Sequence, residues 1–161
     1  MMDIITYCKQ RASWAHEHFL TVLSHVPEAK LTWTPAPTAK SALQIAAHCA
    51  GYSGAFANII REGGFPWTVE EFRAPIQAAI DSITTIEQAK TMLRKGIEDS
   101  LTALDTVKPE QVDGKVKSPQ GETPFIFFMT LPAFHLDNHA AQIDYLQTCW
   151  DDQEVHLEPR S

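Results

Sequence analysis

The sequence predicts an all-α domain, a four-helix bundle, and the pattern of apolar residues and prolines carries that prediction. Four stretches of the 161-residue chain repeat apolar residues at the three-to-four spacing of a buried helix face. Prolines fall in the gaps between them: Pro27, Pro35 and Pro37, then Pro66 and Pro75, then Pro109 and Pro119. No segment alternates convincingly with the period-two pattern of a half-buried strand. Amphipathic helices of similar length bury their stripes against one another, which is the logic of a bundle.

The first helix runs from about Asp3 to Val26, with Ile5, Cys8, Ala12, Ala15, Phe19, Val22 and Val26 along one face. The second runs from Ser41 to about Arg61. Ser41 and Gln44 stand at capping-box spacing, and Gly63–Gly64 mark the stop. Its stripe is Ile45, His48, Tyr52, Phe56 and Ile59. The third starts near Thr84 with Glu87 at the capping-box position. It carries Ile86, Ala89, Leu93, Ile97, Leu101 and Leu104, and stops before Pro109. The fourth starts at Thr123, with Pro124 at the first helical position, where a missing N–H costs nothing. Its stripe is Phe128, Leu131, His135, His139, Gln142 and Leu146. Pro132 lies inside this run. The period continues across it, so a kink is expected rather than a stop.

The connections predict topology. The gap over residues 62–83 is longer than the roughly 2–8 residues that join adjacent antiparallel helices. A chain of that length can run back along the bundle and leave the second and third helices parallel. Its "GGFPWTVEEFRAP" is aromatic and is expected to pack on the bundle as a crossover covering one end. The segment "QVDGKVK" suggests a small hairpin turning at Asp113–Gly114.

Composition limits the function classes. An apolar fraction of 44% and a charged fraction of 20% are ordinary for a globular domain. The formal net charge is −7 and no basic run exists, which argues against nucleic acid or an anionic membrane as the main partner. Cys8, Cys49 and Cys149 are scattered, odd in number and never in CxxC spacing, so neither a disulfide framework nor a thiolate zinc site is indicated. "MMDIITYCKQ" lacks the pattern of a signal peptide, and "PFIFFMTLPAF" is far short of the roughly 20 residues of a membrane span. A reducing, cytoplasmic setting is the expectation.

The chemistry-bearing residues are histidines. The chain has seven. "FHLDNHAAQIDYL" puts His135 and His139 one turn apart on the core-facing stripe, about 6 Å apart at Cβ, a spacing that suits two ligands of one metal. The competing reading is a pair of half-buried imidazoles bonded to neighbours. His48 lies on the stripe of the second helix, between Ile45 and Tyr52. A core histidine needs partners for its ring nitrogens, and a shared cation satisfies three inward imidazoles at once. Three nitrogen ligands leave coordination positions open, as in catalytic rather than structural sites. Gln142, one turn past His139, is placed to orient a ligand or bound water; the bland alternative is a polar layer of the bundle. His16 and His18 flank the first stripe, His25 is near that helix's end and His156 lies in the polar tail, so all four are expected to be structural or solvated. Cys49 points about 100° away from His48 and reads as a small buried hydrophobe. Asp137 and Asn138 face away from the ligands.

Two stretches resemble a known family. "LTWTPAPTAKSALQIAAHCA" resembles the entry to the second helix of the DinB-like family: a Trp-x-Pro turn, a Ser cap and then a histidine. "FHLDNHAAQIDYL" resembles its fourth-helix signature, His-x-x-x-His-x-x-Gln-(Ile/Leu)-x-x-Leu. The resemblance spans essentially the whole chain and implies a single bundle domain over residues 1–150, with a polar tail over 151–161. It implies an up-down-down-up arrangement, often a homodimer, and a divalent cation, commonly nickel or zinc, on His48, His135 and His139. It further implies, as one option, transfer of a low-molecular-weight thiol such as bacillithiol or mycothiol. The chain departs from the family at Ala140–Ala141, where many relatives carry Arg-Gly, and at Pro132, which is unusual so close to a ligand.

The resulting expectation is a metal-dependent enzyme in which a thiolate attacks a small-molecule electrophile. Tyr52 is a candidate for binding substrate or cofactor, as is Gln142, and Trp33 and Trp67 are candidates for the mouth. A stripe tyrosine is more often a core residue. The alternatives are a metal-dependent hydrolase and a non-catalytic metal-binding or dimeric interaction bundle. The absence of a carboxylate beside the ligands favours the thiol over water.

Overall fold

The computed structural model describes residues 2–157. It contains four long helices, α1 (Ile4–Ser24), α2 (Ala42–Glu62), α4 (Ile86–Asp105) and α6 (Phe125–Thr148). Between them lie α3 (Val69–Ser82), a short α5 (Pro109–Val112) and a hairpin of β1 (Lys115–Ser118) and β2 (Gly121–Pro124). The fold is mostly helical, as expected.

The helix starts are set by side-chain caps. Asp3 accepts the Thr6 N–H at 2.9 Å and begins α1. Ser41 and Gln44 form the expected reciprocal box, and α2 stops at Gly63, whose φ of 66° is left-handed. For α4 the box is Thr85 with Gln88, one residue later than the expected Thr84 and Glu87.

Two apolar layers fix the helix directions. One layer joins Phe19 and Val22 late in α1, Ile45 early in α2, Leu93 early in α4 and Ile143 late in α6. The other joins Cys8 early in α1, Ile60 late in α2, Leu104 late in α4 and Phe125 and Met129 early in α6. Helices α1 and α6 therefore run one way and α2 and α4 the other, which is up-down-down-up. The polar contacts agree: Lys9 pairs with Asp105 across α1 and α4, and the buried Gln147 amide of α6 donates to the Val22 carbonyl at 3.2 Å. Fully burying each large apolar side chain of these layers is worth about 1.5–3 kcal/mol.

Three expectations are corrected. The gap between the second and third expected helices holds a further helix. This is α3, opened by a Thr68–Glu71 capping box and continuous through Pro75. It lies along α2, and Gly51 permits the approach: a Cβ there would sit 2.5 Å from Ile80 Cγ1. The hairpin turns at Pro119–Gln120, not at Asp113–Gly114, which instead follow α5. Gly121 supplies the positive φ of 104° that the turn requires. Finally, Thr123 pairs with Val116 in the hairpin, so the last helix starts at Phe125 with Pro124 as its cap residue. That helix passes through Pro132 without interruption.

The described part of the tail folds back. His156 bonds to Asp152 at 2.9 Å and stacks on His25 with ring centroids 3.9 Å apart. Residues 158–161 of the expected tail lie outside the described residues. Among those described, no helix is long and apolar enough to cross a membrane.

Candidate metal centre

The antiparallel seam between α2 and α6 brings His48, His135 and His139 together. One ligand nitrogen from each lies within 4.8 Å of the others. The ring centroids are 5.0 Å apart for His48 and His135, 4.8 Å for His48 and His139, and 4.5 Å for His135 and His139. The Nε2 atoms of His48 and His135 face each other at 3.1 Å. Nitrogens held 2.0–2.1 Å from a tetrahedral cation lie about 3.3 Å apart, so this pair is already at ligand spacing.

Protonation favours the same use. Burial pushes His48 down to about 4, helped by the positive charge of Lys40 and by His139. Burial pushes His135 down to about 3, with His139, His48 and Lys40 adding to the effect. His139 is also lowered by burial, partly offset by its bond to Gln142. All three are thus neutral at pH 7 and offer lone pairs. Gln142 Oε1 lies 2.7 Å from His139 Nδ1. An amide oxygen only accepts, so Nδ1 donates and Nε2 keeps its lone pair. Gln142 is therefore an orienting residue behind a ligand candidate. The residues fit a divalent cation.

The remaining neighbours stay off the cluster. Asp137 is drawn away by Arg11 of α1. Cys49 is fully buried against α4, and burial raises its thiol pKa. Tyr52 packs on the cluster, with its ring 4.7 Å from His48 and 5.4 Å from His135. Phe56 shields His135 edge-on at 5.1 Å.

Two cavities flank the histidines along the seam. Toward the start of α6 is an aromatic chamber of about 840 Å³, lined by Tyr52, Phe56, Phe72, Arg73, Phe128 and Leu131 among others. Toward the end of α6 is a cavity of about 480 Å³, lined by Lys40, Ile45, His139 and Gln142 among others. The order of these residues along both helices places the histidines between the two cavities. Neither lining contains Asp or Glu. The sequence reading missed Lys40 and Arg73. Lys40 stands directly before the Ser41 cap and Arg73 follows Phe72 in the crossover, so position beside a cap or an aromatic cluster was the available signal.

Other expected residues lie elsewhere. Trp67 packs on Phe65 and Phe72 behind the chamber wall, and Trp33 meets Trp150 edge-on at 5.4 Å. Neither lines the flanking cavities. His16, expected on a solvated shoulder, is buried at 9% exposure, with Arg94 close enough to help lower its pKa. His18 stacks on Trp14.

Comparison with known proteins matches this architecture. The family model of the DinB superfamily aligns with residues 11–143. No curated protein matches the sequence. Among solved structures, the mycothiol-dependent maleylpyruvate isomerase superposes with a TM-score of 0.68 at 14% identity, over 89% of this chain and 63% of its own. The chain therefore spans less than two thirds of that isomerase. A DinB-like protein from Bacillus subtilis, YjoA, superposes with a TM-score of 0.60 at 17% identity, over 94% of both chains. At such identities these neighbours speak for the fold, and the family match covers most of the sequence: the chain belongs to the DinB superfamily.

Proposed function

We propose that this protein is a metal-dependent enzyme that joins a low-molecular-weight thiol to a small electrophile at His48, His135 and His139. The observation that carries the reading is the convergence of three neutral imidazoles within 4.8 Å, from two separate helices. A divalent cation, nickel or zinc, held there would favour the thiolate form of a thiol at neutral pH.

The chain's own residues supply the rest. Gln142 fixes the tautomer of His139. Tyr52 and Phe56 cover the cluster on the chamber side and limit water. The Tyr52 hydroxyl, which makes no hydrogen bond to another described residue, is available to a substrate oxygen. Lys40 gives the opposite cavity a cationic rim suited to the polar body of a thiol cofactor. In the reaction a sulfur–carbon bond forms and the bond from carbon to chloride or epoxide oxygen breaks. Chloride leaves with its electron pair, or the alkoxide takes up a proton. The absence of a carboxylate in either lining favours a thiol over hydrolysis, which would want a general base. The neighbour that uses mycothiol supports a thiol as partner.

Elemental analysis of untagged protein tests the reading, with His48→Ala alongside and then a screen of small thiols against chlorinated and epoxide electrophiles. One transition metal per chain, lost in a folded His48→Ala, is expected. Metal-free protein of unchanged stability would overturn it. A homodimer is proposed with it from the family resemblance, and a cytoplasmic location from the scattered, odd-numbered cysteines. Light scattering on the untagged protein reads the oligomeric state.

A further inference from the structure

The 840 Å³ chamber has a wall that is almost wholly aromatic and aliphatic, and Arg73 is the one charged residue that lines it. Arg73 lies on α3, is exposed and has no ion pair among the described residues. Around it, Phe65, Phe72 and Tyr52 pack into one aromatic surface, with Phe65 and Phe72 centroids 4.7 Å apart and Tyr52 and Phe72 6.5 Å apart. The far wall is the outer face of α6, where Phe127 is 48% exposed. The volume falls in the roughly 300–1,000 Å³ range of pockets that enclose small ligands. A large apolar lining with a single placed charge specifies a ligand with an apolar body and one charged end.

We propose that this chamber binds a small monoanionic amphiphile, an aliphatic or aryl carboxylate, with its apolar body on the aromatic wall and its carboxylate on Arg73. A planar guanidinium pairs two-pronged with a planar carboxylate. Phosphate shares that chemistry, but a dianion wants more than one cation, and this lining offers one in a chain of formal net charge −7. Tyr52 and Phe56 belong both to the chamber and to the packing around His135, so a ligand there lies against the side chains that cover the histidines. The assignment of this ligand as the electrophile rests on the thiol-transfer reading. Its binding does not.

Calorimetric titration with decanoate, decan-1-ol and decyl phosphate, before and after removal of metal by chelation, separates the two. Decanoate is expected to bind one per chain and about tenfold more tightly than the alcohol, the effect of one charge-assisted pair. Arg73→Gln should erase that preference while leaving alcohol binding unchanged. Leu131→Trp, which fills the chamber, should weaken both ligands. Val69→Trp narrows the same chamber from the exposed start of α3 and keeps the test open if Leu131→Trp does not fold. His48→Ala should bind decanoate as the wild type does, so loss of the metal site leaves this result standing. Equal binding of acid and alcohol, a preference that survives Arg73→Gln, or tighter binding of decyl phosphate would each overturn the proposal.

Discussion

Histidines gather in two regions of this molecule, and the two are built differently. In the α2–α6 seam, His48 of one helix meets His135 and His139 of the other, and among the described residues the trio's further hydrogen bond is to Gln142 behind His139. Around α1 and the tail, three of the four histidines meet an ordinary neighbour. His25 bonds to the Thr21 carbonyl at 2.8 Å and stacks on His156, His156 meets Asp152, and His18 lies on Trp14. His16 is buried with Nε2 unpartnered among the described residues, but no second imidazole joins it there. Number and burial therefore do not make a centre. Convergence of free lone pairs does.

The strongest way to break the contrast is to remove a converging ring. His135→Ala or His48→Ala should abolish stoichiometric metal, read by elemental analysis, whereas His25→Ala should leave it intact. A smaller effect is expected from Gln142→Leu, which keeps the ligands and frees the His139 tautomer. Metal affinity, measured by competition with a chromogenic chelator, should fall by about 10–100-fold.

Acid titration sharpens the comparison further. The seam imidazoles are held below the ordinary value of 6.5, to about 4 for His48 and about 3 for His135. As pH falls through 6.5 the unfolded chain takes up protons before the folded one, so these groups withdraw stability from there downward. The loss levels off once the pH is below the folded values. Metal-free protein should therefore show a falling melting temperature between pH 6.5 and 4, and His135→Leu should flatten the slope. The smallest effect belongs to the other region: His25→Ala, on an exposed ring, should cost less than about 1 kcal/mol in urea unfolding.

Much of the bundle was legible because its signals are local. The Ser41–Gln44 box, the Gly63 stop and the stripes of the four long helices all sit within a few residues of what they determine. Helix α3 was hidden by Pro66 and Pro75, read as breaks, although Thr68 and Glu71 stood at box spacing. A proline on the seventh residue of a helix loses one hydrogen bond and gives no local sign that packing against Gly51 offsets the loss. The hairpin was misplaced because Asp113–Gly114 is the stronger turn dipeptide, while KVKS and GETP are too short and polar to show alternation. The three ligand candidates were legible as inward residues on stripes. The chamber was not, since its walls come from α2, α3, the hairpin turn and α6, which are far apart in sequence.

Gly51 lets α3 lie on α2 as a separate layer that contributes no histidine. In the proposed reading, the long helices hold the three imidazoles, and α3 adds Phe72 and Arg73 to the wall of the chamber beside them. Redesign of the crossover over residues 62–83 would reshape that wall and leave the three imidazoles in place.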